Sequence, residues 1–200
     1  MQKTRSMRFA LLLPALAMGC APAYVAEPAG TTTTRQVVVS GPQQAQGQTL
    51  FTMTNLRPNA RGVISSVAYT HVRGGVLPMC TPVRIDRIRG REIRFTSLND
   101  NRRFRYILHR SARSGVQAHQ QRYFGPSCPN MGQMSPEDQS GIQNAAVYQG
   151  MTKQGVIAAI GYPPEHVTPS LDGDIWGYWA GRMRRFEVHF MNGRVSGMSQ

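Results

Sequence analysis

The sequence predicts an α+β protein. Glycine (20) and proline (13) are plentiful and charged residues make up only 16% of the 200, which favours strands and loops over long helices. Apolar and basic residues alternate through the middle of the chain, and two helix patterns followed by three strand patterns close it. A hydrophobic content of 40% supplies one ordinary core or two small ones, which excludes both a fully disordered chain and a many-domain protein.

Lys3, Arg5 and Arg8 precede an apolar run from Phe9 to Met18, and Gly19 supplies a small residue before Cys20. This is the layout of a secretory signal. A bilayer core needs about 20 helical residues, and Pro14 interrupts this shorter run, so cleavage rather than spanning is expected. The stretch Leu16-Ala17-Met18-Gly19-Cys20 resembles a bacterial lipobox, with Ala17 in place of the usual leucine. The resemblance implies residues 1–19 as signal peptide and Cys20 as an acylated first residue of the mature protein. Ala21 after it is similar to the signal for outer-membrane sorting in diderm bacteria. The expected address is the periplasmic face of the outer membrane, held through a lipid such as palmitate. Residues 20–56, rich in Ala, Pro, Thr, Gly and Gln, read as a flexible tether, with Val37, Val38 and Val39 assigned to it.

Of the formal net charge of +13, residues 1–56 carry +3, residues 57–125 carry +11 and residues 126–200 carry −1. Two units with different surfaces are therefore expected, 57–125 and 126–200, divided near Gly125-Pro126-Ser127-Cys128-Pro129. In the first, Gly62–Val72 is rich in β-branched residues, Pro82–Leu98 reads as a hairpin turning near Gly90, and Arg103–Leu108 reads as a further strand. Alternation gives each strand one apolar face and one basic face. Arg84, Arg94, Arg103 and Arg105 should line the same side of a small SH3-like or barrel-like sheet, closed by a helix over Gly115–Phe124. Such a face either attracts an anionic envelope component (phospholipid, lipopolysaccharide or acidic cell-wall polymer) or is simply solvated. An exported chain does not meet nucleic acid, which removes the usual partner of a basic protein.

In the last unit, Ser135-Pro136-Glu137-Asp138 has the N-cap, the first-position proline and the acidic first turn of a helix. A second helix should start at Thr152 and stop at Gly161-Tyr162-Pro163-Pro164. Ile175–Gly181 reads as a strand and Arg185–Met198 as a hairpin through Asn192-Gly193. A two-residue turn would set Phe190 opposite Val195 and Val188 opposite Gly197. Trp176 and Tyr178 then face the helices as core. Trp179 points the other way, with Arg185 and His189, as a possible partner face.

Gly150-Met151-Thr152, Ile160-Gly161-Tyr162-Pro163, Trp176-Gly177-Tyr178-Trp179, Phe186-Glu187-Val188-His189-Phe190 and Asn192-Gly193-Arg194-Val195 together resemble the BamE (SmpA/OmlA) module of outer-membrane lipoproteins, over about residues 135–198. Gly155 departs from the strong helix former expected there. The resemblance implies an ααβββ module, a non-catalytic accessory or scaffold in outer-membrane assembly or envelope integrity, and partners among the β-barrel assembly machinery.

With Cys20 acylated, Cys80 and Cys128 remain as an even pair, satisfied by a disulfide or by two buried thiols. His71, His109, His119, His166 and His189 show no metal-ligand spacing, and no cofactor motif is present. No nucleophile elbow or phosphate loop occurs either. A cell-wall hydrolase assembled from distant residues is the third reading, behind the scaffold and the anionic-ligand binder.

Overall fold

The computed structural model describes residues 48–67, 70, 74–181 and 183–200. The expected signal, Cys20, most of the expected tether with Val37–Val39, and His71 lie outside the described residues. A curled six-stranded sheet, a three-stranded sheet and three α-helices make the protein mixed α+β.

The six-stranded sheet is built from β1 (Thr49–Thr52), β2 (Val63–Ser65), β3 (Pro82–Arg89), β4 (Glu92–Ser97), β5 (Arg103–Ile107) and β6 (Phe124–Gly125), in the order β2-β5-β4-β3-β1-β6. All pairings are antiparallel except β2 with β5. The alternation read from the sequence holds: Val83, Ile85, Ile93, Phe95, Phe104 and Tyr106 are each at most 1% exposed. Burial of this order contributes roughly 1.5–3 kcal/mol per large side chain. Gly90, with φ of 57°, starts the two-residue turn that pairs Arg89 with Glu92. Helix α1 (Val116–Tyr123) adds Val116 and Tyr123 to the same core.

Two expectations change here. The β-branched run 62–72 yields only the three residues of β2 as strand among those described. The tether expected over 20–56 ends earlier, because β1 lies inside the sheet between β3 and β6, with Leu50 and Thr52 buried. A four-residue strand whose two apolar residues, Leu50 and Phe51, are adjacent carries no alternation, and its pairing on both edges stabilises it instead.

Helices α2 (Pro136–Asn144) and α3 (Lys153–Ile160) pack with β7 (Ile175–Trp179), β8 (Arg185–Met191) and β9 (Arg194–Ser199), which form an antiparallel sheet in sequence order. The Ser135 hydroxyl accepts from Asp138 N at 3.2 Å and caps α2. The Thr152 hydroxyl accepts from Gly155 N at 2.9 Å and caps α3. Asp138, 2% exposed, accepts from Thr152 N at 2.8 Å and from the Thr152 hydroxyl at 2.9 Å, so a first-turn acid of one helix holds the start of the next. A Cβ on Gly155 would collide with the Asp138 carboxylate. Gly155 is thus the clearance that this contact requires, which outweighs its weak helix propensity.

Trp176, Tyr178 and Val188 are fully buried beneath the helices, and the Tyr178 hydroxyl donates to Gly161 O at 3.0 Å. Asn192 and Gly193 take positive φ at the β8–β9 turn, and Phe190 faces Val195 as expected. A bulge between His189 and Phe190 then shifts the register, so Val188 faces Met198 and not Gly197. The extra residue, Ser196, donates from its hydroxyl to His189 O at 3.2 Å, a local bond that no alternation rule anticipates.

The two cores meet at a few polar joins. Asn55, 4% exposed, sends its amide to Ile142 O at 2.7 Å and Ala159 O at 3.1 Å, its backbone N–H to Ala158 O at 2.8 Å, and receives Met79 N at 2.8 Å. One side chain from beside the six-stranded sheet thereby satisfies carbonyls near the ends of both α2 and α3. Cys80 and Cys128 are joined by a disulfide, with Cα atoms 5.0 Å apart.

Candidate functional site

Four clusters of polar side chains stand out from the folded body. The first is the outer face of the six-stranded sheet. Arg84, Arg94, Arg103 and Arg105 are all exposed on it, with Arg94 directly opposite Arg105 and Thr96 between Arg84 and Arg103. Acids share the face. Glu92 takes Arg94 at 2.8 Å and Arg105 at 2.7 Å, and Asp86 takes Arg84 at 3.2 Å. Hydrogen bonds from Arg105 and then Arg94 hold the Glu92 carboxyl down at about 2. Among the described residues Arg103 alone of the four makes no ion pair.

The second cluster is the far side of the three-stranded sheet. Trp179 and Arg185 are register partners, and the guanidinium lies 4.3 Å from the indole ring centroid. On another side His166 stacks at 6.4 Å between centroids, so Trp179 is only half-exposed. His189 shares that face but sits four residues along β8, paired with Ile175 and hydrogen-bonded to the Ser199 hydroxyl at 2.9 Å. The structure therefore joins Trp179 to Arg185 and leaves His189 apart. Val167 fills the space over Gly177 between them.

The third cluster is a knot between the loop after β5 and the segment after α3. Ser111 Oγ lies 2.7 Å from His109 Nδ1 and 3.0 Å from His166 Nδ1. Glu165 accepts from Arg113 N at 2.6 Å, Ser114 N at 2.7 Å, the Ser114 hydroxyl, and Arg122 Nη1 at 2.6 Å. Burial works to raise the Glu165 carboxyl, but the Ser114, Arg122 and Arg113 hydrogen bonds override it and hold the group at about 2. Gly115 offers α1 no side-chain cap, and Glu165 supplies the acid at that helix start from outside. His119 Nδ1 is 2.8 Å from the Tyr106 hydroxyl, while its Nε2 is buried without a partner. Burial lowers the His119 pKa even with Glu165 nearby. The space beside it, about 10 Å³, matches a single water and encloses no substrate. No group of three or more His, Cys, Asp or Glu gathers as a metal site among the described residues.

The fourth cluster was not anticipated from sequence. A half-open cleft of about 500 Å³ has Ala146, Val147, Ile160, Ala180, Phe186 and Met198 as walls, and Arg57, Arg184 and Arg185 beside them. None of its lining side chains is acidic among the described residues. Arg57 donates through Nη2 to Ala145 O, and its buried Nε meets no acceptor. Ala145 ends α2 with φ of 49°, a conformation usually left to glycine or asparagine. Ala180 N donates to Arg184 O at 2.8 Å, closing the turn that carries Arg184 and Arg185 to the mouth. These residues come from five separate stretches of chain, so no local motif marks them; the only sequence trace is the cationic pair Arg184-Arg185 in an otherwise acidic segment.

No helix among the described residues is long and apolar enough to cross a membrane. No family model matches the chain, and neither a curated protein nor a solved structure matches it.

Proposed function

We propose that this chain is a non-catalytic lipoprotein of the outer membrane, anchored through Cys20, that acts as an accessory or scaffold in envelope assembly. The supporting observation is the far face of the three-stranded sheet. Ile175 and Met191 stand 54% and 66% exposed there, next to His189 and on the same face as Arg185. Apolar side chains rimmed by charge are the composition that a protein partner covers. The BamE-like pattern of residues 135–198 points to β-barrel assembly proteins as that partner. A photocrosslinking amino acid placed at Ile175 or Arg185 in a diderm host should give discrete adducts with outer-membrane assembly proteins, and the same probe at Arg94 should not. Adducts from Arg94 alone would reject the scaffold role. The anchor is tested separately: Cys20→Ser should abolish fatty-acid labelling and release the protein from the membrane fraction.

A second reading rests on the outer arginine face. Arg103 has no acidic partner among the described residues, and Arg84, Arg94 and Arg105 surround it with only two carboxylates. A binder of anionic lipid, lipopolysaccharide or cell-wall polymer would use this surface.

A further inference from the structure

We infer that the arginine-lined cleft is a binding site for a single long-chain carboxylic acid, with the carboxylate at the guanidinium groups and the tail along Ala146, Phe186 and Met198. The inference shares Arg185 with the far face of the three-stranded sheet but depends on neither reading of the outer surfaces.

A guanidinium removed from water needs acceptors for its five N–H donors. Arg57 is half-buried, burial lowers its pKa, and among the described residues one carbonyl is the only acceptor that it reaches. Among the described residues no acid forms an ion pair with Arg57, Arg184 or Arg185. Elsewhere Glu92, Asp86 and Glu165 each sit on an arginine, and the unpaired Arg103 stands exposed to water, whereas Arg57 is half-buried. Three cations on low-dielectric walls, none of them ion-paired among the described residues, focus a positive potential into the cleft. A planar carboxylate matches the guanidinium fork.

The walls decide the rest of the ligand. Apart from Thr70 and Gln200 the uncharged lining consists of alanine, valine, isoleucine, phenylalanine and methionine, so most of the ligand body is apolar. The volume of about 500 Å³ falls in the range of small-ligand clefts, roughly 300–1,000 Å³, and leaves no room for a folded partner. The cleft is also open to solvent on one side. Arg185 is held by its stack on Trp179, so its orientation precedes binding.

The test uses the full chain bearing Cys20→Ser, so that no acyl group of its own competes, in detergent-free buffer with palmitate carrying a mid-chain diazirine. Photolabelling should saturate and map to peptides containing Ala146, Phe186 or Met198. Arg57→Gln, or the exposed pair Arg184→Gln with Arg185→Gln, should weaken labelling about ten-fold or more. Ala146→Trp, which fills the cleft from a half-buried position, should abolish it. The methyl ester of the same probe, which keeps the tail and loses the charge, should label about ten-fold less. Variants whose thermal unfolding differs from the parent are set aside in favour of the exposed Arg184 and Arg185 pair. Substituting Arg84, Arg94, Arg103 and Arg105 by glutamine should leave labelling intact, which separates this site from the outer face. Equal labelling by acid and ester, labels mapping elsewhere, loss of labelling in the quadruple variant, or no saturable labelling would each overturn the inference.

Discussion

The six-stranded sheet and the α2–α3 layer over β7–β9 enclose cores of similar make-up, yet they differ in how they are completed. The first core is closed by its own strands, with β1 inserted between β3 and β6. The second draws on residues outside its sequence range: Met79 packs in its core, Asn55 satisfies carbonyls of α2 and α3, and Cys80 is bonded to Cys128. In return Glu165, from the later half, supplies the acid that α1 lacks. A helix of eight or nine residues has little stability alone, so α2 and α3 depend on such external partners. A sequence pattern that marks out an ααβββ unit therefore need not mark out an independent one.

The largest test of this dependence is the disulfide. It spans a sequence separation of 48 residues, for which the chain-entropy relation gives about 4 kcal/mol. Paired substitution Cys80→Ser with Cys128→Ser should lower the unfolding midpoint by roughly 10 °C in calorimetry. Reductant should destabilise the parent by a similar amount and leave the variant unchanged. A parent insensitive to reductant would mean that the bond does not link the halves energetically.

Asn55→Ala should come next, at about 2–3 kcal/mol, because it leaves Ala159 O and Met79 N without partners and Ile142 O with Ala145 N alone, in a buried place. Its signature sharpens the comparison. Hydrogen exchange should accelerate more in α2 and α3 than in β3–β5, since only the helices lose acceptors' partners. Uniform acceleration would show the two cores to be one cooperative unit.

Glu165→Gln is expected to cost about 2–3 kcal/mol at neutral pH. The folded carboxyl sits at about 2 against an ordinary 4.5, so ionised Glu165 stabilises the fold fully above pH 4.5. That contribution is lost as pH falls from 4.5 toward 2. Chemical denaturation of parent and variant should therefore differ at pH 7 and converge near pH 2. A gap that persists unchanged at pH 2 would assign the effect to packing and not to charge.

How much of this was legible in the sequence follows from how local each signal is. Ser135-Pro136 and Thr152 mark their helices because capping acts within four residues. The alternation of Val83, Ile85, Ile93 and Phe95 marks β3 and β4 because a strand face has period two. The mixed α+β class and the inward Trp176 and Tyr178 follow from such patterns. β1 was missed because two partners, and no period, hold it. The Ser196 bulge was missed because one hydroxyl bond shifts a register that turn geometry alone sets otherwise. Gly155 breaks the local helix rule because its reason, the Asp138 carboxylate, lies seventeen residues away. The arginine face was visible, but not Glu92 reaching two of its members; the cleft was invisible because Arg57 and Arg184 meet only in three dimensions.

The smallest expected change in stability belongs to the quadruple variant Arg84→Gln, Arg94→Gln, Arg103→Gln and Arg105→Gln. Its ion pairs are exposed, with arginine side chains half in solvent, and exposed pairs typically contribute about 0–1 kcal/mol each. Relief of repulsion between Arg94 and Arg105, which face each other across β4 and β5, offsets part of that loss. The unfolding midpoint should therefore move by no more than a few degrees. Membrane binding is where the face would show itself. Near an anionic surface a free arginine contributes about 1 kcal/mol, but Glu92 and Asp86 already engage three of the four. The variant should reduce cosedimentation with phosphatidylglycerol vesicles by roughly ten-fold at low salt, with the difference fading as the Debye length shrinks to about 8 Å. Glu92→Gln sharpens the point: releasing Arg94 and Arg105 should increase vesicle binding above that of the parent. If neither substitution alters binding, the face is a solvated surface whose acids have already neutralised it.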